Sequence, residues 1–215
     1  MLIKEEPRAA EAHYFKGLAH LGKGDASNAK ISIAKAIELN PRLIKARLLL
    51  AEIYIKERDF QLAEQQSRDV LAMNPEQYRA HLLLGNAMLF QGKPDEAKQS
   101  YEKLVAMDPN NPTGFYRLGI LYRLTRQYDS AIDQFDKALA VNPKLMDVFS
   151  NVVLTLAAEK KYDQALARCD QQMGIIGDVP PVQAILHNLL PRHLQSHNPR
   201  KCPFVRFKFF FPVRS

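Results

Sequence analysis

The chain has 215 residues, 47% of them hydrophobic, with 9 Gly, 13 Pro and no Trp; this excludes a disordered chain and, with Ala, Leu, Lys, Glu and Gln abundant, favours helix over strand. No apolar run approaches the roughly 20 residues that cross a bilayer, and the opening MLIKEEPRAAEA lacks the apolar stretch of a signal peptide, so a membrane span and a visible export signal are both excluded and the compartment stays open, with the cytoplasm as default. The formal charge of +7 does not describe the whole chain: residues 1–178 hold 24 of the 30 Lys and Arg and all 23 Asp and Glu, whereas residues 179–215 hold Arg192, Arg200, Lys201, Arg206, Lys208 and Arg214 with no acid.

In chain order, Leu2 to Glu6 reads as the last turn of a second helix and Pro7 as the closing proline of a unit that begins before Met1. A period of 34 residues then runs along the chain. Prolines stand at Pro7, Pro41, Pro75, Pro109 and Pro143, alanines at Ala29, Ala63, Ala97, Ala131 and Ala165, and small residues at Gly17, Ala51, Gly85 and Gly119. Units opening at Ala10, Ile44, Tyr78, Pro112 and Met146 span about 10–43, 44–77, 78–111, 112–145 and 146–179, within an array of 8–177. Counting each opening residue as place 1, the small residues fall at place 8 and the alanines at place 20. Two antiparallel helices touching there need side chains no larger than a methyl group. Apolar residues at places 7 and 11, such as Leu50 and Tyr54 or Leu84 and Met88, extend the contact stripe, and place 24 adds Ile33, Tyr101 and Phe135.

Each second helix is expected to end at Asn40-Pro41, Asn74-Pro75, Asp108-Pro109 or Asn142-Pro143, where Asn and Asp take the left-handed conformation that closes a helix and proline prevents its continuation. Within each unit the turn carries Asp25, Asp59, Asp95 or Asp129, acids that complement the free amides and the dipole at the start of the second helix. Residues 178–190 read as the start of an incomplete sixth unit, VQAILHNLL, that stops where Pro191 falls at a mid-helix place. From 191 to 215 the sequence turns Phe-rich, Pro-rich and basic. Three readings of it stay open: a native basic-aromatic tail, a segment covering the apolar end of the stack, and a departure from the reading frame near residue 190.

Period, small-residue pair and closing proline resemble the tetratricopeptide repeat family over residues 10 to about 176. The clearest copy carries Leu118-Gly119, Tyr122, Tyr128, Ala131, Phe135, Ala138 and Pro143. Lys16 at a Leu place, Ser67 at an aromatic place and Val153 at a small place depart from the pattern, and the fifth unit lacks its proline. The expected fold class is all-α: a right-handed superhelical solenoid of antiparallel helix pairs, taken from a longer array. The resemblance implies that places 2, 5, 6, 9, 12 and 13 of the first helices face a concave groove. In this chain those are Tyr14, Phe15, Leu18 and Leu21; Lys45, Leu48, Leu49, Glu52 and Ile55; Arg79, Leu82, Leu83, Asn86 and Phe90; Tyr116, Arg117, Ile120 and Arg123; and Ser150, Asn151 and Leu154.

The expected function is a protein-protein interaction scaffold that holds a peptide or helix of a partner in this groove, with an acidic group meeting Arg79, Arg117 and Arg123. A competing structural reading packs some of the leucines between neighbouring first helices. The family's two-carboxylate clamp for chaperone tails would place Leu48, Glu52, Leu83, Thr113 and Arg117 at its five positions; only Arg117 fits, so that ligand is not expected. Self-association through the array ends is a further expectation. The alternative function is nucleic-acid binding, with Phe204 to Phe209 stacking bases and neutralising phosphates.

No catalytic residue, cofactor, metal or small-molecule substrate is expected, because no phosphate-cradling glycine loop, GxSxG turn or HExxH pair occurs. His13, His81 and His20 occupy packing places. His193 and His197 with Cys202 lack a fourth metal ligand, and Cys169 reads as a small core residue.

Overall fold

The structure, a computed structural model, describes residues 6–176; the expectations for residues 1–5, for the sixth unit at 178–190 and for the tail at 191–215, with His193, His197 and Cys202, lie outside the described residues. Among the described residues there are ten helices and no strand: α1 (Glu6–Gly22), α2 (Ala26–Leu39), α3 (Ile44–Glu57), α4 (Phe60–Met73), α5 (Tyr78–Phe90), α6 (Pro94–Met107), α7 (Pro112–Leu124), α8 (Tyr128–Val141), α9 (Met146–Ala158) and α10 (Tyr162–Ile176). Connections of two to four residues force each helix to run back along the one before it, so the chain is all-α and built from antiparallel pairs. Ile44, Tyr78, Pro112 and Met146 are the first residues of α3, α5, α7 and α9, as expected from the period. The first unit differs. Its helix starts at Glu6, ahead of Ala10, so Pro7 stands in the first turn of α1, where a missing amide costs no intrahelical bond.

The two kinds of connection close their helices differently, and the expected left-handed Asn and Asp are not where that conformation occurs. Asn40, Asn74, Asp108 and Asn142 cap α2, α4, α6 and α8 with φ between −140° and −146°. The proline that follows each of them excludes the helical region for its predecessor and extends the backbone. The asparagines contribute instead through their side chains, accepting from the amides of Arg42 (3.1 Å), Glu76 (3.2 Å) and Lys144 (3.0 Å). Left-handed residues occur in the turns inside the units, again at intervals of 34: Gly24, Arg58, Gly92, Arg126 and Lys160, with φ from 61° to 77°. One residue further on, the amides of Asp25, Asp59, Lys93, Gln127 and Lys161 each bond back to a carbonyl five residues earlier at 2.8–2.9 Å, the mark of a Schellman closure. Asp25 then caps α2 by accepting from the Asn28 amide at 3.0 Å, and Asp95 and Asp129 lie in the first turns of α6 and α8.

The described residues form two compact units, one ending at Leu121 and one beginning at Tyr122. In the first, α1 packs on α2, α3 on α4 and α5 on α6, and α2–α3, α4–α5 and α3–α5 contacts join successive pairs. Ala10, Ala29, Ile33, Ala36, Leu43, Ala46, Leu50 and Ile53 form one buried cluster, and Leu48, Ala51, Val70, Ala80 and Leu83 another. Place 8 and place 24 meet as the small-residue argument requires. A Cβ on Gly17 would lie 2.6 Å from Ile33 Cγ1, and one on Gly85 would lie 2.5 Å from Tyr101 Cε1. The same sixteen-residue offset sets Ala51 beside Ser67 in the pattern, both fully buried, a pair of small residues where the third unit has glycine and tyrosine.

In the second unit α9 packs against α8 and α10. Val153 is 1% exposed and Cys169 fully buried, a larger residue at place 8 matched by a smaller one at place 24. Cys169 is therefore a core residue. Gln172 is buried at a place filled by apolar residues elsewhere, and its amide donates to the Pro143 carbonyl at 2.6 Å. That satisfies the polar group and fastens the end of α10 to the turn before α9.

Candidate functional site

The first helices of the first unit carry a common face, and ion pairs between successive helices mark it. Lys45 on α3 meets Glu11 on α1 at 2.7 Å, and Arg79 on α5 meets Glu52 on α3 at 2.5 Å. The Lys45 ammonium also lies over the rings of Tyr14 (5.0 Å) and Phe15 (5.4 Å), which stand edge to face with centroids 5.5 Å apart. This end of the face is thus an aromatic pair with a lysine above it, Leu18 one turn further along α1 and Leu49 partly buried behind.

The expected site residues separate into three groups. Tyr14, Leu18, Leu49, Asn86, Tyr116, Arg117 and Ile120 lie at least partly exposed on first helices of the first unit, and Arg79 is exposed there. Leu48 and Leu83 are each 5% exposed and pack together with Ala51, Val70 and Ala80. They hold α3 against α5, the structural reading of these leucines, and present no surface to a partner. Phe90 is exposed but lies at the turn end of α5, stacked on Phe60 with centroids 5.0 Å apart and planes 20° from parallel. The second unit holds the remaining two: Arg123 near the end of α7, and Asn151, whose side-chain amide donates to the Asp147 carbonyl at 2.8 Å.

The three arginines expected to meet an acid have different surroundings. Arg79 is already neutralised by Glu52 through Nε and Nη2, a partner the expectation did not include, although an acid at place 9 followed 27 residues later by a base at place 2 is a readable signal. Arg117 has its guanidinium 5.7 Å from the Tyr116 ring, and its Nε is buried without a hydrogen-bond partner. Arg123 Nε is likewise buried without one. Beside Arg117, the Tyr101 hydroxyl donates to Asn86 Oδ1 at 2.9 Å. Burial pushes the Tyr101 phenol far above its ordinary pKa, and the positive charge of Arg117 opposes this only in part, so the hydroxyl stays protonated as a donor. Asn86 is thereby oriented by a buried residue of the helix behind it.

Among the described residues His13, His20 and His81 are half-buried; His81 Nε2 is 2.8 Å from the Pro75 carbonyl, and His20 Nδ1 is 3.4 Å from Asp25. Among the described residues no group of three His, Cys, Asp or Glu side chains is placed to hold a metal, and no helix is long and apolar enough to cross a membrane.

Three sequence profiles described as tetratricopeptide repeat match the chain, at residues 10–43, 55–113 and 85–145, together more than half of it. No curated protein matches it in sequence. Solved structures that resemble it include MamA 41-end from Desulfovibrio magneticus RS-1, with a TM-score of 0.69 at 17% identity over 77% of this chain and 94% of that one. The pilF protein of Pseudomonas aeruginosa has a TM-score of 0.66 at 22% identity over 84% and 90%. YrrB, described as a TPR protein with an unusual peptide-binding site, has a TM-score of 0.61 at 19% identity over 85% and 94%. At these identities the likeness is one of fold.

Proposed function

This chain belongs to the tetratricopeptide repeat family, whose members bind other proteins or peptides, and from that premise we propose that it is a scaffold holding a peptide or helix of a partner on its first-helix face. The partner's apolar side chains lie against Tyr14, Leu18 and Leu49, and an acidic group meets Arg117. The observation that carries this reading is the contrast between Arg79, already paired with Glu52, and Arg117, whose buried Nε has no hydrogen-bond partner. A half-buried arginine with no acid beside it and an unbonded Nε gains from a charged acceptor. A solved relative by fold, YrrB, is described as having a peptide-binding site, which supports the class of ligand.

The test is a peptide selection against the full chain, followed by titration of the selected peptides with Arg117→Glu, Arg123→Glu and Arg79→Glu. Binding of acidic peptides weakens by about tenfold or more in Arg117→Glu, and less in Arg79→Glu. Equal affinity for the wild type and Arg117→Glu refutes the reading.

A further inference from the structure

We propose that Tyr101 is a positioning residue of this site: its hydroxyl holds the Asn86 amide so that the N–H side faces the partner beside Arg117, and the partner's acidic group accepts from both. This rests on the scaffold reading above and adds a second donor to it. Along the array place 9 is Leu18, Glu52, Asn86, Ile120 and Leu154, and place 24 of the same units is Ile33, Ser67, Tyr101, Phe135 and Cys169. The third unit alone pairs an amide with a hydroxyl long enough to reach it. In the second unit the Ser67 hydroxyl donates to the Ala63 carbonyl of its own helix at 2.8 Å. In the fourth, a ring without a hydroxyl, Phe135, goes with a place 9 that has no polar group, Ile120. The ring hydroxyl and the amide are present together and absent together.

Packing alone does not ask for that hydroxyl. Tyr101 is fully buried against Gly85, and phenylalanine would fill the same space with no polar atom to desolvate. The hydroxyl donates to Asn86 Oδ1 at 2.9 Å, and burial keeps it in the protonated form that can donate. With Oδ1 engaged from the buried side, the planar amide directs Nδ2 along its other branch. Asn86 is itself half-buried, and its two N–H groups have no acceptor among the described residues. Arg117 is close enough to the same phenol for its charge to act on it, and its Nε is buried without a partner. Two sets of donors thus flank Tyr101 while the amide oxygen is already occupied, an arrangement that favours an anion and disfavours a cation.

Titration of the acidic peptides selected against the full chain tests this with two variants that break different halves of the arrangement. Tyr101→Phe keeps the ring and the donors but releases the amide. Asn86→Asp keeps an acceptor for the hydroxyl but replaces the donors with an anion. Each is expected to weaken binding by about tenfold or more, and Tyr101→Phe adds no further loss in an Asn86→Ala background. In the wild type the Asn86 side-chain amide resonances shift on addition of a selected peptide, and shift less when its acids are replaced by their amides. A hydroxyl with a purely structural role would lower the thermal midpoint of Tyr101→Phe and leave its affinity unchanged, which overturns the proposal. Wild-type affinity in Asn86→Asp, with binding weakened in Arg117→Glu, also overturns it and leaves the scaffold reading standing; wild-type affinity in Arg117→Glu removes both.

Discussion

The second and third units, residues 44–77 and 78–111, use helices of 13 or 14 residues and fill the same contact in opposite ways. In the third, Gly85 lies against the fully buried ring of Tyr101, whose hydroxyl reaches across to Asn86. In the second, the places hold Ala51 and Ser67, and the Ser67 hydroxyl turns back to the Ala63 carbonyl at 2.8 Å. Both solutions bury a polar atom with its partner supplied, and both divide the available volume between two residues. Ala51 and Ser67 together fill less space than Gly85 and Tyr101, so the second unit closes this contact with a smaller pair and Ser67 stays a departure from the family pattern. The turns repeat the contrast. Arg58 and Gly92 hold the same left-handed backbone, φ 68° and 75°, one with a side chain that resists it and one without.

The largest expected effect comes from emptying the third unit's contact. Tyr101→Ser costs about 3–5 kcal/mol in urea denaturation. Adding Gly85→Ala, which rebuilds the small pair of the second unit, recovers about 1 kcal/mol of it; strict additivity of the two substitutions would show that the places do not act as a pair. Gly85→Leu overfills the same space and costs about 3 kcal/mol, because the Tyr101 ring already stands against the glycine. Smaller effects follow at the turns: Gly92→Ala destabilises by about 1 kcal/mol and Arg58→Gly stabilises by about 0.5 kcal/mol, both read as shifts of the thermal midpoint. Loss of stability in Arg58→Gly would mean that its side chain outweighs its backbone. The smallest change is expected from Arg79→Ala, about 0.3 kcal/mol, since its pair with Glu52 is at the surface and screened by salt.

Much of this fold was legible in the order of residues. Four helix starts coincide with the unit openings read from the 34-residue period, because proline and small residues act through local sterics that need no neighbour. The extended Asn-Pro closures were legible too, since a residue before proline is excluded from the helical region; an expectation based on asparagine alone missed it. Left-handed Arg58, Arg126 and Lys160 carry no signal in their own chemistry and become visible only in register with Gly24 and Gly92.

The first-helix face was legible in position but not in accessibility. Leu48, Leu83 and Phe15 occupy places 5 and 6 with similar hydrophobicity, yet two are buried and one is 58% exposed. Arg79 and Arg117 carry the same charge, yet Glu52 neutralises only the first.

By itself the sequence determined the period, four of the helix starts and the sites of close helix approach, all set by backbone geometry and side-chain size within a few residues. Only the tertiary structure decided which leucines are core and which arginines of the face have an acid beside them, because burial and ion pairing depend on what the neighbouring helix pair brings alongside.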